Sequence, residues 1–208
     1  MKLLFTAAAL AGTVQLFAQS THAVIAPASP LSVYSAEWNN PVYAKCNTAA
    51  NAIYMTKNER DVIYILNLLH ANPSLFAKTV VPHFSYADNP NYKSLVDTLL
   101  KIDARPMLYP DKKCYNSALC HATSSGKVGY VGHVRQSTSC EAKKYYNAEC
   151  ASYGSGKAIE IVMQLLIDDG VPSLGHRYAC IASWYKLLGV SIQPHIGYGN
   201  NAVLDFKY

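Results

Sequence analysis

The closing stretch, Leu187-Leu188-Gly189-Val190-Ser191-Ile192-Gln193 followed by Gly197-Tyr198-Gly199-Asn200-Asn201 and then Ala202-Val203-Leu204-Asp205-Phe206-Lys207-Tyr208, decides the fold class. Two runs rich in β-branched and aromatic residues flank a glycine-asparagine turn, the pattern of an antiparallel hairpin. Strands are expected over 187–193 and 202–208, with a shorter strand at Glu149 to Tyr153 joining them. Upstream of this hairpin the periodicity is mainly helical. Helices first and a hairpin last point to an α+β fold rather than an alternating parallel one.

Working back along the chain, Asp168-Asp169-Gly170-Val171-Pro172-Ser173-Leu174-Gly175-His176-Arg177 follows an apolar helix expected over Gly156 to Ile167. Gly170 is placed to end that helix in a left-handed cap, and Pro172 prevents its resumption. Two acids, an imidazole and a guanidinium thus gather at a helix exit. Asp168 and Asp169 are adjacent, so on a helix they would point about 100° apart and would not share one substrate. Capping and charge pairing with Arg177 or Lys186 are their expected roles.

Thr56-Lys57-Asn58-Glu59 is a capping box, and apolar residues at 62, 65, 66 and 69 make one face of a helix over 57–80, broken near Asn72-Pro73. Further helices are expected over Tyr92 to Ile102 and Lys112 to Ser124. Gly126, Gly129 and Gly132 then interrupt the chain just before His133. Residues 21–55, low in charge and holding Pro27, Pro30 and Pro41, form an irregular N-terminal leader, and 56–208 form a single domain.

Lys2, the apolar run from Leu3 and the small residues near Ala18, Ser20 and Ala23 have the layout of a secretory signal peptide over 1–18, cleaved between 18 and 23. The apolar run is too short to span a bilayer, and the expected location is secreted, extracellular or periplasmic. Export makes the six cysteines, Cys46, Cys114, Cys120, Cys140, Cys150 and Cys180, candidates for disulfides. Sequence leaves their pairing open, with Cys140–Cys150 the locally plausible pair. No Cys-x-x-Cys motif favours a thiolate metal site. The formal charge of +5, scattered and partly on Lys2, does not suggest nucleic acid.

His133, Glu149 and His176 are the candidate site residues. Two imidazoles and a carboxylate suit a zinc-like ion with open positions or proton transfer. No Gly-x-Ser-x-Gly or phosphate-binding loop is present. His121 is expected to be a structural helix residue and His70 a core-edge one.

The order of these motifs resembles the CAP superfamily of cysteine-rich secretory, antigen five and pathogenesis-related proteins, in its bacterial-type SCP-like extracellular branch. The matching residues are Asn67 and Pro73, Leu108, Ala118 to His121, Gly132-His133, Ala148-Glu149-Cys150, Gly175-His176-Arg177, Gly189-Val190 and Asp205-Phe206. The resemblance implies an α-β-α sandwich around a central antiparallel sheet. It also implies a cleft of two histidines and two acids that binds a divalent metal, zinc or calcium, in some members. His133, Glu149 and His176 match three of those positions, with Arg177 in support. The family's second acid is replaced by Gln164-Leu165-Leu166, leaving Glu160 and Asp169 as candidates. The implied activity is that of a non-enzymatic binding module for a sterol, another lipid or an extracellular protein partner. The alternatives are a metal-dependent hydrolase acting through His133, Glu149 and His176, and a disulfide-held structural domain.

Overall fold

The computed structural model describes residues 28–84 and 89–208, so the expected signal peptide and its cleavage site lie outside the described residues. The chain is α+β. Its helices are α1 (Lys57–Ala71), α2 (Pro73–Thr79), α3 (Pro90–Lys101), α4 (Lys112–Val128), α5 (Thr138–Glu141), α6 (Ala158–Ile167) and α7 (Gly175–Ile181). Its strands are β1 (Tyr109–Pro110), β2 (Ala148–Tyr153), β3 (Leu187–His195) and β4 (Gly199–Lys207), in the order β1-β3-β4-β2. The expected hairpin is β3–β4, and β2 joins it antiparallel along β4. The two-residue β1 pairs parallel with β3, making the sheet mixed. Sequence did not signal β1, because a strand this short has no period.

Alternation along the strands separates the two faces. Leu188, Val190, Ala202, Leu204 and Phe206 are buried with α1 and α6 in the main core, whereas Val203 is buried against Ala118 and Ala122 of α4. The sheet therefore lies between α4 on one side and the α1–α6 layer on the other. Two glycines make the α4 side close. A β-carbon on Gly189 would stand 2.0 Å from the Tyr115 backbone nitrogen, and one on Gly126 would stand 2.0 Å from the Pro194 carbonyl oxygen. That contact explains why α4 runs past Ser124 through Gly126 to Val128, where left-handed Gly129 ends it.

The leader is part of this core. Two 3₁₀ turns, Ala36–Asn39 and Pro41–Cys46, bury Trp38 and Cys46, and Leu31, Ala49, Ala52 and Met55 join the same apolar cluster. Asn67 of α1, fully buried, holds the leader in place by donating to the carbonyls of Cys46 and Leu108. As expected, the Thr56–Glu59 capping box starts α1. Glu59 is also buried, and its second carboxylate oxygen accepts from the Ile192 N–H at 2.8 Å, tying the helix start to β3. Residues 62–70 of α1 are all buried, not one face alone, because leader, α6 and sheet surround the helix.

Two local expectations are corrected. The left-handed residue that ends α6 is Asp168 (φ 57°), two positions before Gly170. Its side chain takes up the next helix start, which offsets the cost of that backbone for a residue with a β-carbon. Among the cysteines, Cys140 pairs with Cys120 and not with Cys150. α5 turns Cys140 back toward α4, while Cys150 is buried on β2. Cys46, Cys114, Cys150 and Cys180 are buried thiols.

Candidate functional site

Each of the two histidines is presented by a loop whose backbone is pinned from both sides. After Gly129 ends α4, the Gly132 N–H donates to the Tyr153 hydroxyl at 2.9 Å, and the Gly132 carbonyl lies 2.9 Å from His121 Nε2. This holds the next residue, His133, over β2, where its Nδ1 meets Glu149 Oε1 at 3.0 Å. Glu149 itself is almost wholly buried and pairs with Arg135 at 2.5 Å through its other oxygen. The second loop runs from Asp168 to Leu174, both left-handed, and releases α7. Asp168 Oδ2 accepts from the backbone N–H groups of His176 and Arg177 at 3.0 and 3.3 Å, capping α7, while its Oδ1 lies 2.6 Å from His176 Nδ1.

The structure thus brings His133, Glu149 and His176 together, with the two imidazole rings 6.2 Å apart and inclined by 37°. Both Nδ1 atoms donate to carboxylates, which fixes the tautomer and leaves Nε2 of each neutral ring as an acceptor. The hydrogen bond to Glu149 raises the pKa of His133 against the opposing effect of burial. Burial pushes Glu149 up, but His133 and Arg135 together bring it below the ordinary carboxylate value.

Beneath His133 lies a buried polar cluster facing α4. Glu149 and Asp205 are direct partners in the β2–β4 register, where like charges repel. Arg135 reaches both, at 2.5 Å from Glu149 and 3.6 Å from Asp205. One cation cannot hold two buried carboxylates ionised. Burial, followed by the charge on Glu149, raises the Asp205 pKa to about 9, so it stays protonated at neutral pH. His121, also fully buried, is held below its ordinary pKa by burial; it is structural, as expected.

The remaining candidates separate cleanly. Glu160 sits in the first turn of α6, bonded to the Ser155 hydroxyl at 2.6 Å and Lys157 at 2.9 Å. It belongs to that local cap and is not the fourth acid of the cleft. Asp169 lines the cleft but accepts from Asn89 at 2.6 Å. Arg177 is buried and donates to the carbonyls of Leu166, Ile167 and Asn91, tying α6 to α3. It supports the loop and does not face the cleft. The acid that does serve the second histidine is Asp168, which caps α7 and pairs with His176 in place of Arg177 or Lys186. An acid eight residues before a histidine, across a Gly-x-Pro turn, is the signal that could have marked it. Arg135 had no such signal, because its burial comes from tertiary packing.

Beside His176 opens a cleft of ≈ 400 Å³, with Ala151, Leu165, Ile167 and Val171 giving it apolar walls and Tyr153 and Gln164 polar ones. That volume suits a small ligand. A resident metal fits this donor set poorly. Catalytic zinc uses three protein ligands and calcium six to eight oxygens. Here Nε2 of His133 and Nε2 of His176 are the imidazole donors left; Glu149 is engaged by His133 and Arg135, Asp168 by His176, and Asp169 by Asn89. Among the described residues no group of three or more His, Cys, Asp or Glu is placed to hold a metal ion. No family model matches the chain, and no curated protein matches it. Among the described residues no helix is long and apolar enough to cross a membrane.

Proposed function

We propose that the chain is an exported, CAP-like binding module whose cleft takes a small amphiphilic ligand. The polar head of the ligand lies against the His133–His176 pair, and its apolar body lies along Leu165, Ile167 and Val171. The observation that carries this reading is the ≈ 400 Å³ cleft, with apolar walls on one side and His176 on the other. Two preorganised imidazoles suit an anionic or hydrogen-bonding head group, since each Nε2 either accepts or, once protonated, donates. The Cys120–Cys140 disulfide supports an oxidising compartment.

The test is titration with a dansylated fatty acid and with a fluorescent sterol. Saturable uptake is expected for one of them, abolished by Val171→Trp, which fills the cleft, and weakened by His176→Ala. Absence of saturable uptake, or uptake unchanged in Val171→Trp, rejects the reading. A second reading, hydrolysis with a water activated at His176, is favoured by the 2.6 Å contact between Asp168 and His176 Nδ1, an arrangement that orients a general base. Turnover of a p-nitrophenyl ester that disappears in His176→Ala would support it.

A further inference from the structure

Behind the cleft, two thiols from different elements meet in the main core. Cys150 and Cys180 are both fully buried there. Cys150 follows Glu149 on β2, the edge strand beside β4. Cys180 lies on α7, one turn after His176. The Cys150 thiol donates to the His176 carbonyl at 3.8 Å. A helical side chain leans toward the helix N-terminus, over the turn before it, which brings the Cys180 sulfur back toward that same carbonyl. The two thiols are hydrogen-bonded to each other, and this contact together with burial holds Cys150 well above its ordinary pKa.

The other two thiols are separated by the sheet. Cys46 lies in the leader beneath Asn67, in the main core. Cys114 lies in the first turn of α4, against Gly189 on the opposite face. Two thiolates supply half of the four ligands of a structural zinc, and among the described residues no third His, Cys, Asp or Glu joins Cys150 and Cys180. A disulfide needs the pair alone. Thiols already in hydrogen-bond contact reach the about 2.0 Å of an S–S bond by small rotations.

We infer that Cys150 and Cys180 are a redox pair, oxidised to a disulfide by a small-molecule disulfide such as oxidised glutathione. The attacking species is an accessible thiolate, so the reaction starts when α7 opens locally. Cys180 attacks first, because it moves out with the seven-residue α7 while Cys150 is held in the β2–β4 ladder. Its thiolate attacks the glutathione disulfide, forming a mixed disulfide and releasing one glutathione thiolate. The Cys150 thiolate then attacks the Cys180 sulfur, closing the bond and releasing the second. The two leaving thiolates take up the two protons, so two cysteines are oxidised and one disulfide is reduced to two thiols. The bond joins the strand bearing Glu149 to the helix bearing His176, and locks α7 against the sheet. The dithiol chemistry stands without a cleft ligand; control of the cleft by this lock rests on the binding reading above.

The test uses the full chain with Cys120–Cys140 formed. It is incubated with oxidised glutathione in buffer and in urea below the unfolding midpoint, where α7 opens while the rest stays folded. Thiols titrated after denaturation should fall from the four of Cys46, Cys114, Cys150 and Cys180 to two. Peptide mapping by mass spectrometry should join Cys150 to Cys180 and leave Cys46 and Cys114 free. Amide exchange in α7 should slow by roughly tenfold or more. Cys150→Ala should instead retain one glutathione on Cys180; if that variant does not fold, the map of the parent decides. The proposal is overturned if four thiols persist in both incubations, if the new bond involves another cysteine, or if the parent keeps a glutathione adduct. A Cys150–Cys180 bond that leaves α7 exchange unchanged overturns the lock. None of these readouts uses a cleft ligand, so failure of lipid uptake and failure of the redox pair are told apart.

Discussion

Replacing Asp205 by asparagine should flatten the dependence of stability on pH. Asp205 is fully buried and its pKa is raised to about 9, whereas an aspartate in the unfolded chain titrates near 3.9. A group whose folded pKa lies above its unfolded value contributes stability that is fully present below the unfolded pKa. That stability is lost as pH rises toward the folded pKa. Between about pH 5 and 8 the unfolded chain has released this proton and the folded chain has not. One proton of difference corresponds to a slope of about 1.4 kcal/mol per pH unit. Asparagine has the shape of the protonated acid and an N–H to offer Glu149, but nothing to release.

Other groups titrate in the same range. His133, with a raised pKa, adds loss of stability as pH rises above about 6.5. Buried His121 and His70, with lowered pKa values, act oppositely as pH falls below that value. All three remain in the variant, so the difference between the two proteins isolates Asp205. Urea unfolding of both from pH 5 to 8 is the assay. The stability difference should shift in favour of Asp205→Asn by about 1 kcal/mol or more for each unit of rising pH. Parallel pH profiles would refute the reasoning, since they would mean that Asp205 is ionised in the fold.

Three further outcomes follow from the packing. Trp38→Ala should cost about 3–5 kcal/mol, measured by urea unfolding, because this leader residue is 1% exposed and packs on Phe76; a loss under about 1 kcal/mol would make the leader peripheral. Gly189→Ala should cost about 3 kcal/mol, since its β-carbon would collide with the backbone of Cys114 and Tyr115; a neutral result would place α4 farther from β3. Cys140→Ser should lower stability by about 3 kcal/mol, as the Cys120–Cys140 bridge spans 20 residues. In the unreduced, denatured parent, four thiols, those of Cys46, Cys114, Cys150 and Cys180, should titrate.

Local rules were enough wherever a local cause sets the structure. The Thr56–Glu59 box starts α1, Asn72-Pro73 separates α1 from α2, and β-branched residues around a glycine turn make β3 and β4. The resemblance grouped His133, Glu149 and His176; in the fold His133 Nδ1 lies 3.0 Å from Glu149 Oε1 and the two imidazole rings are 6.2 Å apart. Other features have no local cause. β1 is two residues long, Cys120 meets Cys140 through the fold of the intervening loop, and the leader is buried by partners distant in sequence. The acids show the division best.

Read along the chain, Glu160, Asp168, Asp169 and Asp205 are equivalent carboxylates near suggestive neighbours. Tertiary structure leaves Glu160 in a surface cap, sets Asp168 under His176, points Asp169 at Asn89, and buries Asp205 against Glu149 with its proton retained. Sequence by itself therefore determined the fold class and which histidines to compare, because periodicity, caps and turns act over a few residues. The state and task of each carboxylate were decided by the tertiary structure, because desolvation and neighbouring charge depend on what the fold brings alongside.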